Sequence, residues 1–170
     1  DVAGLLSAAD SACAAAKEAG RNRIHSFEEN DIDLQRRRRE QQWAARINNA
    51  LEDNRFELFR QTIKPLQIVD EGAHYEILLR MRDESGGIVA PGLFIEAAER
   101  FSLTPRIDRW VVTNTFRWLV SEADERERLT LCSINLSGQS IGDDKFLPFV
   151  IEQFQMSGLD ASKICFEITE

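Results

Sequence analysis

Along this 170-residue chain the spacing of apolar positions changes character twice. Residues 5–19 (LLSAADSACAAAKEA) are alanine-rich, with apolar positions at helical spacing, and Gly20 follows where a helix would end. Arg23, Ile24, His25, Ser26 and Phe27 then alternate, which predicts a short strand. Residues 28–52 are polar and charged, including the run Arg36, Arg37, Arg38 and Arg39, until Trp43, Ile47 and Leu51 recur every fourth residue. This predicts a connecting helix that docks only at its far end, its arginine run being a solvated face. From Phe56 the texture changes again. Strands are predicted over residues 56–66, 74–81, 129–136 and 163–169, and helices over 92–101, 105–121 and roughly 144–155. Strands alternating with helices predict an α/β fold with a mainly parallel sheet.

Strands of a parallel sheet are covered on both faces and should be nearly continuous in apolar residues. These strands break that rule. Tyr75, Ile77, Leu79 and Met81 face one way, and Glu76, Leu78 and Arg80 the other. Cys132, Ile134 and Leu136 oppose Ser133, Asn135 and Ser137, while Ile164, Phe166 and Ile168 oppose Cys165, Glu167 and Thr169. If the sheet curls into a barrel, the polar faces point inward together. A buried carboxylate without a partner is costly or takes up a proton, so three strands with the same problem suggest one shared solution. Two carboxylates and an amide oxygen from Glu76, Glu167 and Asn135 are hard ligands, suited to Mg²⁺ or Mn²⁺. Arg80, on the face of Glu76, offers a fork for a phosphate. An antiparallel sheet with one solvated face would alternate in the same way, and the pattern alone leaves both readings open.

Composition narrows the setting. With 43% hydrophobic and 29% charged residues the chain reads as an ordinary globular protein, and a net charge of −8 argues against a general nucleic-acid binder. Its three cysteines, Cys13, Cys132 and Cys165, lack metal-type spacing and read as buried thiols of a reducing compartment. No run is apolar and long enough to span a membrane, and no secretory signal opens the chain, so a cytoplasmic location is expected. Both ends look clipped.

Six segments resemble, in order, those of the EAL domain, the family of bacterial cyclic-di-GMP phosphodiesterases. Glu76, Ile77, Leu78, Leu79 and Arg80 look like its signature, with isoleucine in the middle position. Gln61, Thr62 and Ile63 resemble its Q-P-I segment. The stretch from Pro91 through Phe94, Ile95 and Glu96 to Glu99 resembles P-x-x-F-I-P-x-A-E, and Ile107, Asp108, Arg109, Trp110 and Val111 resemble I-D-x-W-V. Ile134, Asn135, Leu136 and Ser137 resemble V-N-L-S, and Glu167, Ile168, Thr169 and Glu170 resemble E-[IL]-T-E. Upstream, Ala16, Lys17, Glu18, Ala19, Gly20, Arg21, Asn22 and Arg23 resemble the closing segment of a GGDEF (diguanylate cyclase) domain. Residues 1–27 are therefore expected to be a GGDEF remnant, 28–52 a linking helix, and 53–170 the N-terminal half of an EAL domain.

The resemblance implies a TIM-like (β/α) barrel whose first strand is antiparallel, with only its first half present. It implies that Glu76, Asn135 and Glu167 are metal ligands of a Mg²⁺ or Mn²⁺ two-metal site. Gln61, Leu78 and Arg80 would contact cyclic di-GMP, and Glu170 would support a loop. Lys17 and Arg21 fall where cyclase residues meet a nucleoside triphosphate. The family's Asp-Asp pair and its lysine lie beyond Glu170, so the 170 residues alone are expected to be inactive, and their last strand to leave an unpaired edge. The parent is expected to hydrolyse cyclic di-GMP to the linear dinucleotide, as a homodimer formed through the EAL domain, without contact to nucleic acid or membrane from this segment. The alternative is a degenerate EAL domain that binds cyclic di-GMP and signals without catalysis.

Overall fold

A computed structural model describes residues 2–18, 22, 24, 32–67 and 72–169. The chain divides into two compact units, Asp1–Trp43 and Ala44–Glu170. In the first, α1 (Val2–Glu18) realises the alanine-rich pattern almost to its expected end. The strand expected at residues 23–27 and the cap at Gly20 lie outside the described residues, apart from Ile24, which is in no regular element. Helix α2 (Ile32–Glu52) begins in the first unit and ends in the second. There its last turns bury Ile47 and Ala50 completely, which agrees with a helix docking at its far end.

The second unit is built on one sheet. Its strands are β1 (Phe56–Thr62), β2 (Ala73–Arg82), β3 (Ile88–Val89), β4 (Leu129–Ser137) and β5 (Ile164–Thr169), in the order β1-β2-β4-β5 with β3 pairing to β2. The β1–β2 and β2–β3 junctions are antiparallel, and β2–β4 and β4–β5 are parallel. The sheet is thus mixed rather than mainly parallel, and the first strand is antiparallel as expected. Strand β1 stops four residues short of the expected 66, consistent with Pro65, which has no N–H for a ladder. Beyond the residues left undescribed, Gly72 (φ +83) brings the backbone back to the sheet, where a side chain would meet the Arg128 carbonyl at 2.6 Å.

One face of this sheet carries the helices. Helices α3 (Ile95–Arg100), α4 (Thr104–Ser121), α5 (Ala123–Arg128), α6 (Gly138–Ile141) and α7 (Phe146–Ser157) complete the unit. The helix expected over 92–101 is broken. Pro91–Leu93 forms a 3₁₀ turn, Phe94 leaves helical geometry (φ −129°, ψ −18°), and only then does α3 start. The break lets Phe94 enter the core fully buried, its ring 5.8 Å from Phe56. Helix α4 lays Ile107, Val111, Val112, Phe116 and Leu119 on the sheet, and the sheet answers with Tyr75, Ile77, Met81, Cys132, Ile134 and Leu136, all buried. These are the apolar strand faces read from the sequence. Burying a side chain of this size stabilises by about 1.5–3 kcal/mol, which makes this two-layer core the main support of the unit. Helix α7 ends on Gly158 in the left-handed conformation, and Asp160 then caps a 3₁₀ turn at Ala161–Lys163, so the last strand starts at Ile164 rather than 163.

The cysteines are not uniformly buried as expected. Cys132 is buried between β4 and the helices, Cys165 is half-buried and Cys13 is exposed. Among the described residues no helix is long and apolar enough to cross a membrane.

Candidate functional site

The face of the sheet turned away from α4 carries the polar set. In strand register Gln61 lies beside Glu76, Glu76 beside Ser133 and Ser133 beside Cys165, giving one row across four strands. Two residues further along β4, Asn135 lies beside Glu167 of β5. Paired residues share a face, so four strands bring Gln61, Glu76, Asn135 and Glu167 to a common surface. Leu78 and Arg80 continue the same face of β2. The alternation seen in the sequence is therefore realised in a sheet with parallel central strands.

Within this surface one contact is direct. The Asn135 amide donates from Nδ2 to Glu76 Oε1 at 2.5 Å, tying β4 to β2. Both side chains are part-buried, whereas Glu167 and Gln61 are exposed. Turning the Asn135 amide about its last torsion presents Oδ1 to the same space. Glu76, Asn135 and Glu167 can then offer two carboxylates and one amide oxygen, the donor chemistry of a hard divalent cation. The residues fit such an ion by donor type. Among the described residues no cluster of three or more His, Cys, Asp or Glu side chains is gathered for a metal, because one of these three donors is an amide and Glu167 stands open on the edge strand.

The arginines sort themselves by partner. Arg82 is held by Glu57 through both Nε and Nη2, and Arg60, on the opposite face, is held by Glu125 at 2.6 and 3.1 Å. Arg80 instead donates to the Leu79 carbonyl at 2.7 Å and lies over the Phe59 ring at 5.6 Å. Among the described residues it has no carboxylate in ion-pair range, so its guanidinium keeps donors for an anion beside Glu76. Glu170, expected to support a loop, lies outside the described residues.

The polar surface continues into a cavity of about 410 Å³ between the middle of β2 and the end of β4, lined by Leu78, Asn135, Ser137 and Asp108 together with apolar side chains of α3 and α4. In the sequence Asp108 stands out only as part of a motif. In the structure it is a buried carboxylate that receives Ser137 N at 2.9 Å, Ser137 Oγ at 2.7 Å and Ser140 Oγ at 2.6 Å. No spacing rule could have found this, because Asp108 sits on the buried face of an amphipathic helix among apolar neighbours.

These residues define a class. Residues 44–170 match the family model described as the EAL domain, and the chain belongs to that family. It is 40% identical over 166 residues to the cyclic di-GMP phosphodiesterase PdeB of Shewanella oneidensis, covering 98% of this chain and 19% of that protein. It is 32% identical over 127 residues to the cyclic di-GMP phosphodiesterase PdeF of Escherichia coli, covering 74% of this chain and 16% of that protein. The chain thus spans less than a fifth of the length of these relatives. Among solved structures it resembles the FimX EAL domain from Pseudomonas aeruginosa bound to c-di-GMP, with a TM-score of 0.66 and 32% identity over 74% of this chain and 49% of that one. A likeness of fold alone extends to the S helix-GGDEF-EAL structure of Vibrio cholerae LapD, at 21% identity and TM-score 0.62, covering 99% of this chain and 39% of that one.

Proposed function

We propose that this chain is part of a phosphodiesterase that hydrolyses one phosphodiester bond of cyclic di-GMP to give the linear dinucleotide. The observation that carries the reading is the convergence of Glu76, Asn135 and Glu167 on one face, with Asn135 hydrogen-bonded to Glu76 at 2.5 Å and Arg80 beside them without a carboxylate partner among the described residues. Relatives named as phosphodiesterases favour hydrolysis over binding alone.

Glu76, Asn135 and Glu167 would hold Mg²⁺ or Mn²⁺ through oxygen donors. When bound, divalent ions of a two-metal site activate water and offset charge on the phosphate. The protein's own share is positional. Arg80 directs its fork at a phosphate oxygen, Gln61 and Leu78 border the dinucleotide on the same face, and the β2–β4–β5 ladders fix the spacing of the three donors. In this reading the sheet is the first half of a TIM-like (β/α) barrel with its polar face inward. Residues 1–27 are the end of a GGDEF domain, a view supported by the resemblance of the segment from Ala16 to Arg23. Homodimer formation through the EAL domain belongs to the same proposal.

The test is turnover by the full-length protein with Mg²⁺ or Mn²⁺, product identified by chromatography. Linear dinucleotide from the wild type, lost in Glu76→Gln, is expected. A well-folded wild type that binds cyclic di-GMP yet forms no product with either ion would overturn the reading.

A further inference from the structure

The ladder between β2 and β4 ends at Ile77–Ile134 among the described residues, one residue before Asn135. Asn135, Leu136 and Ser137 run on in register with β5, where Glu167, Ile168 and Thr169 form the edge. The residue whose amide reaches Glu76 therefore sits where the strand leaves its inner neighbour. From there on the ladder to the outer strand β5 holds it on one side only, and a tie on the inner side has to come from elsewhere.

Asp108 occupies this place. Its carboxylate is 7% exposed and accepts the Ser137 backbone N–H and the hydroxyls of Ser137 and Ser140 within 2.6–2.9 Å. All three bonds converge on Oδ2, so a single atom on α4 holds the turn that leads from β4 into α6. The Ser137 hydroxyl also receives the Ser140 N–H at 3.3 Å, closing the turn on itself. A second tie runs alongside, from Thr104 Oγ1 to Gln139 Oε1 at 2.7 Å and from Gln139 Nε2 to the Glu99 carbonyl at 2.6 Å. Charge-assisted bonds of this kind are roughly twice as strong as neutral ones, and three on one buried oxygen leave the turn little freedom.

We propose that Asp108 is a positioning residue for Asn135: by clamping Ser137 and Ser140 to α4 it sets the reach of the Asn135 amide toward Glu76 and any cation held there. It stands outside the Glu76, Asn135 and Glu167 donor set and acts through two residues of strand. The inference rests on the metal reading of Glu76, Asn135 and Glu167 given above.

The experiment compares full-length wild type, Asn135→Ala, Asp108→Asn and Ser140→Ala, measuring Mn²⁺ affinity by titration, thermal midpoint, and kcat and KM for cyclic di-GMP. Residues that orient a metal ligand typically change affinity by about 10- to 100-fold, and Asp108→Asn is expected in that range. Ser140→Ala removes one hydrogen bond and is expected to weaken Mn²⁺ about threefold. In both, kcat falls while KM for cyclic di-GMP moves less than the kcat does. Wild-type Mn²⁺ affinity in folded Asp108→Asn or in Ser140→Ala, with affinity lost in Asn135→Ala, would reduce Asp108 to a structural role and overturn the proposal. Should Asp108→Asn fail to fold, Ser140→Ala decides by the same criterion. Unchanged Mn²⁺ affinity in Asn135→Ala is a separate outcome: it overturns the metal reading itself, and this inference with it.

Discussion

Cys132 shows how much a single residue's surroundings decide. Burial between β4 and the helices pushes its thiol up to about 12, well above a free cysteine. The thiolate is the reactive form, so Cys132 should resist alkylation while the chain is folded, whereas exposed Cys13 should react at once. Mass-spectrometric mapping of iodoacetamide labelling near pH 8 checks the order, and early modification of Cys132 would contradict it. The same burial fixes a sign for stability. Below the unfolded thiol's pKa, about 8.5, both states hold the proton and stability is unaffected. Above it only the unfolded state releases the proton, so stability should fall progressively toward pH 12. Tyr75, whose phenol burial also pushes upward, adds to the same alkaline loss. Urea midpoints at pH 7, 9 and 10.5 measure it.

At the scale of elements, β1 is an outer strand fastened to α4 and α5 by Arg60. The guanidinium makes a two-pronged pair with Glu125 and lies 5.5 Å from the centre of Tyr75 and 5.6 Å from that of Trp118. The hydrogen bond to Arg60 holds the Glu125 carboxylate below its usual range, so this part of the fastening is present at neutral pH and lost as pH falls through that lowered value. Magnitudes decide which contact matters more. Both charged groups are about a third or more exposed, and such pairs contribute about 0–1 kcal/mol, whereas each ring contact contributes about 0.5–1 kcal/mol and survives salt. Arg60→Ala should therefore cost more than Glu125→Gln in thermal unfolding, and 0.5 M NaCl should remove little of the Arg60 contribution. Equal losses in the two variants would show that the ion pair dominates.

The elements also show what the sequence could and could not tell. Alternation in β2, β4 and β5 is enough to assign Glu76, Asn135 and Glu167 to the polar faces of their strands, because strand period is a local property of the chain. Trp43, Ile47 and Leu51 announce the docking end of α2 for the same reason. The break at Phe94, the short α6 and the clamp by Asp108 are illegible in the pattern. Each depends on a partner distant in sequence: Phe56 for Phe94, and α4 for the Ser137–Ser140 turn. The hydrogen bond from the Asn135 amide to Glu76 spans 59 residues and needs the strand order, which period alone does not supply.

At the scale of the whole 170-residue chain, β1 and β5 are the outer strands of the sheet among the described residues, and β5 presents Ile168 at 61% exposure. An apolar edge strand is a template for pairing with another chain. The 170-residue chain is expected to self-associate at roughly μM–mM concentrations, and Ile168→Lys to suppress this, since charge on an edge opposes strand addition. Sedimentation velocity reads the result. A wild-type monomer at these concentrations, or association unaltered by the lysine, would show that the edge is not the adhesive surface.

The two-residue period of β2 finally sets what changes in length the gene can tolerate. Glu76 and Arg80 share one side of the strand, and Tyr75, Ile77 and Met81 the other, fully buried against the helices. Deleting one codon from β2 before Tyr75, with the pairing upstream of the deletion kept, would carry a carboxylate and a guanidinium into the apolar core and turn an aromatic ring toward the polar surface. Deleting two codons would preserve the sides and shift the donors along the strand by one repeat. In-frame losses in this strand should therefore be far less damaging in pairs than singly.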